Sequence, residues 1–192
     1  RQMCIRDRLR SIRSHEPPIM TEIAIQPLDY GSSLAARYLK ENKPFDLVLS
    51  FAAIKHVRSE RDNFSLLRML DVNLVKADRF LSAVRRYGHG TRGVFFVSTD
   101  KAASPASFMG ASKRAMEALL WAHAQSGVPA SLLDGGEAPA LSRVTTTRFA
   151  NVAFSDGSLP WGFLQRIEKR QPLAAPADVK RYLVSPTEAG QL

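Results

Sequence analysis

The stretch STDKAASPASFMGASKR, residues 98–114, carries side chains that suggest proton-transfer chemistry. Asp100 and Lys101 place a carboxylate beside an amine, directly after an apolar run. A carboxylic acid can protonate a leaving hydroxyl, and a neutral amine can remove a proton from carbon. A lysine with the ordinary pKa of about 10.4 needs desolvation or nearby positive charge to act as a base at neutral pH. The pair predicts acid–base chemistry, with a solvated surface ion pair as the alternative.

Met109 and Lys113 follow four residues apart, a spacing that places both on one face of a helix. A thioether exchanges no proton at physiological pH and is only a weak hydrogen-bond acceptor. A methionine at the start of a helix is typically a packing residue. Proton transfer therefore falls to other groups, among which Asp100 is a candidate.

Strands and helices are predicted to alternate, which indicates βαβ units around a mostly parallel sheet. The predicted strands are 22–28, 45–53, 93–98 and 144–152, and the predicted helices are 33–42, 64–87, 109–125 and 159–170. The strand 45–53 is nearly all apolar, as expected for a strand buried on both faces. Ser185, Pro186 and Glu188 predict the capped start of a further helix.

Three motifs follow predicted strands: AAIKH after the second, STDK after the third and RFANV at the fourth. In parallel sheets, ligands bind beyond the carboxyl ends of the strands. FAAIKHV, the DVN of the long helix, STDKAASPASFMGASKR, and TRFANV with the following DGS resemble the extended short-chain dehydrogenase/reductases. More narrowly, they are similar to the UDP-N-acetylglucosamine 4,6-dehydratases of capsular polysaccharide synthesis. The resemblance runs from about Asp29 to the C-terminus.

The resemblance implies an α/β fold with a Rossmann-like, doubly wound parallel sheet, NAD or NADP as cofactor, and a UDP-sugar substrate. It implies that Thr99 hydrogen-bonds the 4-hydroxyl or 4-keto oxygen of the sugar. Lys101 would remove the C5 proton, Asp100 would assist loss of the C6 hydroxyl, and Lys113 would bind the nicotinamide ribose. A branch of the family resembles this chain in having methionine where the catalytic tyrosine usually stands, so Met109 does not indicate an inactive protein.

Further cofactor and substrate contacts are implied in the same way, each with a turn, packing or surface role as the alternative. The cofactor-binding candidates are Asp29 for the adenine amino group, Ala52 and Ala53 for close approach at a strand end, Lys55 in the cleft, and Asn73, which supports the active-site helix. The substrate-binding candidates are His56 in the cleft, Asn151 at the diphosphate, and Arg148 and Arg181 at the phosphates.

The glycine-rich phosphate-binding turn of such folds is not found in the sequence. We therefore expect an internal fragment, truncated at both ends and lacking the first strand, that alone is inactive and binds NAD(P) poorly. Residues 1–20 are expected to be an artefact or disordered, because MCIRDR resembles a translated sequencing adapter. Residues 21–155 would form a partial NAD(P)-binding domain, and 156–192 would begin a smaller substrate-binding region.

The net charge of +9 does not indicate a nucleic-acid partner, because five arginines fall in the first thirteen residues and no basic stripe with aromatics follows. A single cysteine fits a reducing compartment, and no apolar run reaches the roughly 20 residues of a membrane span. The expected location is the cytoplasm. A membrane anchor elsewhere in the full-length protein and a homo-oligomeric state are left open, and no metal ligand set is seen.

Two alternatives to a 4,6-dehydratase are retained. The first is a nucleotide-sugar epimerase or reductase of the same fold. The Asp100–Lys101 pair favours dehydration over it, because epimerisation at C4 needs no acid and base at C5 and C6. The second is a non-catalytic dinucleotide-binding protein, for which Lys101→Ala and Asp100→Asn would leave function unchanged.

Overall fold

The structure, a computed structural model, describes residues 24–42, 45–55, 60, 62–125, 127–132, 134–155, 157–175, 177–178 and 180–191. The segment 1–20 and His56 lie outside the described residues, so the predictions for them stay predictions. The helices are α1 Ser33–Glu41, α2 Asn63–Leu70, α3 Lys76–Tyr87, α4 Phe108–Ala124, α5 Leu159–Glu168 and α6 Pro186–Gln191. The strands are β1 Leu47–Ser50, β2 Gly93–Thr99, β3 Val144–Phe149, β4 Asn151–Val152 and β5 Leu183–Val184.

Three strands form a parallel sheet in the order β1-β2-β3. Val48 pairs with Val94, and Val94 with Val144. Helices connect β1 to β2 and β2 to β3, as parallel neighbours require. The predicted fold class, a Rossmann-like α/β domain, is confirmed. The sheet brings the carboxyl ends of its strands to one edge, where the predicted motifs lie.

The core lies between this sheet and helices α3 and α4. Val94 and Phe96 of β2 pack with Leu81 of α3 and with Met116 and Leu120 of α4. Helix α3 supplies its side of the core because apolar residues recur along it at helical intervals. Burial of these side chains holds α4, and the residues at its start, against the end of β2.

One prediction about β1 is wrong, since this strand is not buried on both faces. Leu47 and Leu49 are 63% and 59% exposed, whereas Val48 and Ser50 are buried. Among the described residues, the helices that contribute to the core cover one face of the sheet and leave the other open. An apolar run can predict a buried strand, but burial itself depends on which elements pack against it.

The predicted strand 22–28 is also not formed in its described part, 24–28. A strand needs a partner for its backbone amides, and no pairing is found for this segment among the described residues. Pro27 has no amide hydrogen to contribute. The segment instead leads into a turn at Tyr30 and Gly31 before α1.

The predicted helix 64–87 is interrupted by one turn of π-helix, Asp71–Val75, between α2 and α3. Such turns are rare and often lie at functional sites. Asn73 lies within it and is 1% exposed. The capped start of α6 is confirmed, because Ser185 and Glu188 exchange backbone and side-chain hydrogen bonds.

The predicted strand 144–152 divides at Ala150 into two strands that belong to different sheets. Its first part, β3, pairs with β2 in the three-stranded parallel sheet, and its second part, β4, pairs in parallel with β5. Asn151 stands opposite Leu183 in this second sheet. Asn151 is therefore the first residue of the second sheet and follows the last residue of β3 by two positions.

The loop that follows α4 is held against α3 and α4 by a buried polar cluster. Arg85 of α3 donates hydrogen bonds to four carbonyl oxygens of this loop, those of Val128, Pro129, Ala138 and Pro139. Asp78 accepts from the side chain of Ser131 and lies 2.8 Å from the ring of His123. Among the described helices, none is long and apolar enough to cross a membrane.

Candidate active site

The predicted pair Asp100–Lys101 forms a direct contact at the carboxyl end of β2. The residues lie in a single 3-10 turn, Asp100–Ala102, which Thr99 caps. Lys101 Nζ lies 2.9 Å from Asp100 Oδ1, and the hydroxyl of Thr99 donates to the same oxygen at 2.9 Å. The structure therefore brings Thr99, Asp100 and Lys101 into one hydrogen-bonded group.

The carboxyl group of Asp100 is held in its ionised form. Partial burial alone would raise its pKa, but hydrogen bonds from Lys101 and Thr99 outweigh burial, so the pKa of Asp100 is lowered. In its ionised form Asp100 can accept a proton, and it can donate a proton only after it has accepted one. Both side chains remain partly accessible, with exposures of 45% for Asp100 and 40% for Lys101.

Helix α4 begins in direct contact with this turn. A Cβ placed on Gly110 would lie 2.6 Å from the carbonyl oxygen of Lys101 and 3.4 Å from Pro105 Cα. Only glycine permits this approach, because the atoms that a side chain would meet belong to the backbone. Sequence reasoning missed the role of Gly110, although it lies between Met109 and Lys113.

We expect Gly110→Ala to destabilise the protein by about 1–3 kcal/mol, because the turn that carries Lys101 would have to move. Chemical denaturation measures this change. Gly162→Ala in α5 is the matched control, since a Cβ there meets nothing within 4 Å and alanine favours a helix. A Gly110→Ala protein as stable as the Gly162→Ala protein would contradict the close approach.

Met109 and Lys113 are both buried, each with 4% exposure. Lys113 Nζ donates to the carbonyl oxygen of Val97 at 2.8 Å and lies 3.6 Å from the sulfur of Met116. Burial lowers the pKa of Lys113 to about 8, against the opposing charge of Glu117. Lys113 is therefore not a solvated surface residue of the helix, and the packing role predicted for Met109 agrees with its burial.

Asn73 ties the segment after β1 to α4. Its Oδ1 accepts from the amide of Ile54 at 3.0 Å, and its Nδ2 donates to the carbonyl of Ile54 and to Ser112 Oγ. Ser112 in turn donates to the carbonyl oxygen of Met109. Both amide hydrogens of Asn73 are thus used within the protein. This arrangement supports the predicted structural role of Asn73, and a direct cofactor contact stays a prediction.

Glu60 holds the first turn of α4 and was missed by sequence reasoning. Its two carboxylate oxygens accept from the backbone amides of Phe108 and Met109 at 3.2 and 2.9 Å. These amides have no partner within the helix, and a carboxylate at a helix N-terminus is favoured electrostatically. The only signal in the sequence was an acidic residue shortly before α2, which does not identify its partner.

Asn151 lies beside the Asp100–Lys101 pair. Its Oδ1 is 3.3 Å from Lys101 Nζ, and its Nδ2 donates to the carbonyl oxygen of Tyr182 at 3.3 Å. Arg181, the residue before Tyr182, is exposed. The structure therefore brings Asn151 to Lys101, and it places Arg181 on the segment that Asn151 contacts.

Arg148 is engaged elsewhere, in a bidentate ion pair with Glu117 of α4 at 2.9 and 2.7 Å. Ser98 donates to the same carboxylate at 2.6 Å, and Arg114 lies 3.3 Å from it. These contacts outweigh burial and lower the pKa of Glu117 to about 2, the bond from Arg148 having the largest effect. In this arrangement Arg148 joins β3 to α4, and its predicted phosphate contact stays a prediction.

We expect Glu117→Gln to destabilise the protein by on the order of 2 kcal/mol at pH 7. The folded-state pKa is below the unfolded value of about 4.5, so this stability is present above pH 4.5 and lost as the pH falls toward 2. Denaturation midpoints measured between pH 7 and pH 3 should therefore converge for the two proteins. Glu41→Gln, in an exposed ion pair with Arg37, is the control. A loss of stability in Glu117→Gln as small as that in Glu41→Gln would contradict the stabilising role of the Glu117 carboxylate.

Three of the other predicted cofactor contacts lie just beyond the end of one strand. Ala52, Ala53 and Lys55 follow β1 at its carboxyl end, with Ala52 and Lys55 exposed and Ala53 half-buried. Asp29 forms an ion pair with Lys76 of α3, and this hydrogen bond lowers the pKa of Asp29. Asp29 thus has a structural partner, and its predicted adenine contact stays a prediction. No metal-binding group of three His, Cys, Asp or Glu side chains is found in the described part of the chain.

The family model described as "Polysaccharide biosynthesis protein" matches residues 21–192. UDP-glucose 4-epimerases of Rickettsia typhi and Rickettsia prowazekii are each 30% identical over 141 residues, which is 73% of this chain and 37% of the relative. This chain therefore spans a little over a third of the length of these relatives.

Solved structures show the same fold. A UDP-glucose 4-epimerase from Thermotoga maritima, solved with UDP-glucose, has a TM-score of 0.67 at 18% identity, over 86% of this chain and 56% of that one. A dTDP-glucose 4,6-dehydratase from Streptomyces venezuelae, solved with NAD, has a TM-score of 0.66 at 20% identity, over 85% and 51%. With the family match over 21–192, the chain belongs to the polysaccharide biosynthesis protein family.

Proposed function

We propose that this chain is part of a nucleotide-sugar 4,6-dehydratase that acts on UDP-N-acetylglucosamine or a close relative in surface polysaccharide synthesis. The observation that carries the proposal is the hydrogen-bonded group of Thr99, Asp100 and Lys101 at the carboxyl end of β2. An acid, a base and a hydroxyl in contact are what removal of water from a sugar requires. The proposed cofactor is NAD or NADP, as the family resemblance implies.

The strand ends fit a dinucleotide cofactor. The small side chains of Ala52 and Ala53 leave the end of β1 accessible. The amine of Lys113, which burial has brought to a pKa of about 8, lies at the end of β2. A bound nicotinamide would supply oxidation at sugar C4 and the return of hydride to C6. Residues 21–155 would hold it, and 156–192 would begin the substrate-binding region.

The proton steps can be assigned to this chain's own residues. Thr99 would bind the 4-hydroxyl, and its hydrogen bond to Asp100 gives the hydroxyl proton a path to the ionised carboxylate as C4 is oxidised. Lys101, as the neutral amine, would remove the C5 proton, which the adjacent ketone acidifies. Asp100 would then protonate the departing C6 hydroxyl as water, and Lys101 would return its proton to C5. The net change in the sugar is the loss of one water.

The experiment is incubation of the full-length protein with UDP-N-acetylglucosamine and NAD or NADP. Mass spectrometry is expected to show the loss of water that gives a 4-keto-6-deoxy sugar. A product of unchanged mass with inverted C4 would instead support the epimerase alternative, which the epimerase relatives favour. A substrate left unchanged would contradict both.

A further inference from the structure

Asn151 connects the base of the proposed reaction to a different sheet. Its side-chain oxygen lies 3.3 Å from Lys101 Nζ, while its side-chain nitrogen donates to the carbonyl oxygen of Tyr182. Its backbone pairs with Leu183 of β5. The oxygen and nitrogen of a planar side-chain amide are a fixed distance apart, so this amide links Lys101 to the segment before β5.

The elements around Lys101 carry several titratable groups. The titratable groups on the elements around it are Asp100 in its own turn, Lys113, Arg114, Glu117 and His123 on α4, Arg148 on β3, and Lys180, Arg181 and Tyr182 beside β5. Lys113 donates to Val97, and Arg148 binds Glu117. Among the described residues, Asp100 is therefore the one charged group in ion-pair contact with Lys101. The oxygen of Asn151 is its second acceptor.

We infer that Asn151 is a positioning residue for Lys101: its amide oxygen orients the amine, and its amide nitrogen ties that orientation to the strand next to Arg181. The inference rests on the proposed function and goes beyond it. If Arg181 binds a phosphate of the substrate, as predicted, a movement of β5 on substrate binding would shift Lys101 through the side chain of Asn151. Asn151 would thus couple the phosphate end of the substrate to the base.

The pH dependence of water loss by the full-length enzyme tests this role. Asn151→Asp places a second carboxylate beside Lys101, which favours the ammonium, so the pH of half-maximal kcat should rise by about 0.5–1 unit. Asn151→Ala removes an acceptor, so this pH should fall, and kcat should drop about tenfold because the amine is less well oriented. Asn63→Asp and Asn63→Ala, at an exposed asparagine of α2, are the matched controls and should leave the profile unchanged.

A role for Asn151 in substrate contact alone predicts something different. KM would then rise in both variants while the pH of half-maximal kcat stayed at the wild-type value, and this result would overturn the inference. A profile that moved in the same direction in both variants would overturn it as well. A merely structural role would lower stability without moving the profile in opposite directions.

A second readout needs no turnover and so separates this inference from the proposed function. Lysines labelled with ¹³C at the ε carbon can be titrated by NMR in the full-length protein, with the Lys101 signal identified by its loss in Lys101→Arg. We expect its titration midpoint to be higher in Asn151→Asp than in Asn63→Asp. Equal midpoints would overturn the inference. A shifted midpoint in a protein that removes no water from any nucleotide sugar would uphold the contact and reject the dehydratase.

Discussion

Replacing Lys101 by methionine is expected to lower the rate of water loss by about 10²–10⁴-fold in the full-length enzyme. Methionine keeps an unbranched side chain of similar length but cannot accept the C5 proton. Asp100 would remain in place with Thr99 as its hydrogen-bond donor. The rate of 4-keto-6-deoxy product formation, measured at saturating nucleotide sugar, gives the size of the effect.

Lys40→Met is the control, because Lys40 lies on the exposed surface of α1. It should leave the rate unchanged, and both variants should unfold at nearly the wild-type denaturant concentration. A Lys101→Met enzyme that retains more than a tenth of the wild-type rate would show that another group removes the C5 proton. The non-catalytic alternative also predicts that function is retained in Lys101→Met, because in that case function does not depend on Lys101.

Replacing Arg85 by methionine is expected to cost about 3–5 kcal/mol of unfolding free energy. Arg85 is 3% exposed, and its guanidinium donates to four carbonyl oxygens of the loop after α4. Without it these oxygens lose their donor, and the contact with the ring of His123 is also lost. Urea denaturation at pH 7 measures the change.

Arg86→Met is the control at the neighbouring position. Arg86 makes one exposed hydrogen bond to the loop, to the carbonyl oxygen of Gly135, so its loss should cost less than about 1 kcal/mol. Equal losses of unfolding free energy in Arg85→Met and Arg86→Met would mean that the buried guanidinium of Arg85 does not hold the loop. A loss at Arg85 alone would confirm that α3 anchors the loop that leads into β3.

The elements near the candidate site could be predicted from the sequence because their signals are local. The apolar run before Asp100 predicted β2, and the spacing of apolar residues predicted helices that differ from α1 and α4 by one residue or so at their ends. The contact between Asp100 and Lys101 follows from adjacency in one turn. The capping motif of α6 needs only residues three apart, and it was also predicted.

The contacts that fix the geometry of the site could not be predicted in this way. Glu60 meets the amide of Met109 across 49 positions, and Arg148 meets Glu117 across 31. Such partners are chosen by the packing of helices on the sheet, which no local pattern encodes. Gly110 carried a weaker signal, since a glycine inside a helix usually has a reason, but the carbonyl of Lys101 that it approaches belongs to another element.

Two of the errors in the predicted fold have a related cause. Both the burial of β1 and the pairing of 24–28 depend on neighbours rather than on the segments themselves. Leu47 and Leu49 are apolar enough for a strand buried on both faces, but no described helix covers them. A sequence pattern gives the preference of a segment, whereas its environment is a property of the whole fold.

The fate of the hydrogen at sugar C4 tests the central claim most directly. With UDP-N-acetylglucosamine carrying deuterium at C4, the full-length enzyme is expected to deliver the label to C6 of a 4-keto-6-deoxy product, because the hydride taken from C4 returns at the carbon that lost its hydroxyl. NMR of the product locates the label. Deuterium found again at C4, in a sugar that has kept all its oxygens, would contradict dehydration at the Asp100–Lys101 pair.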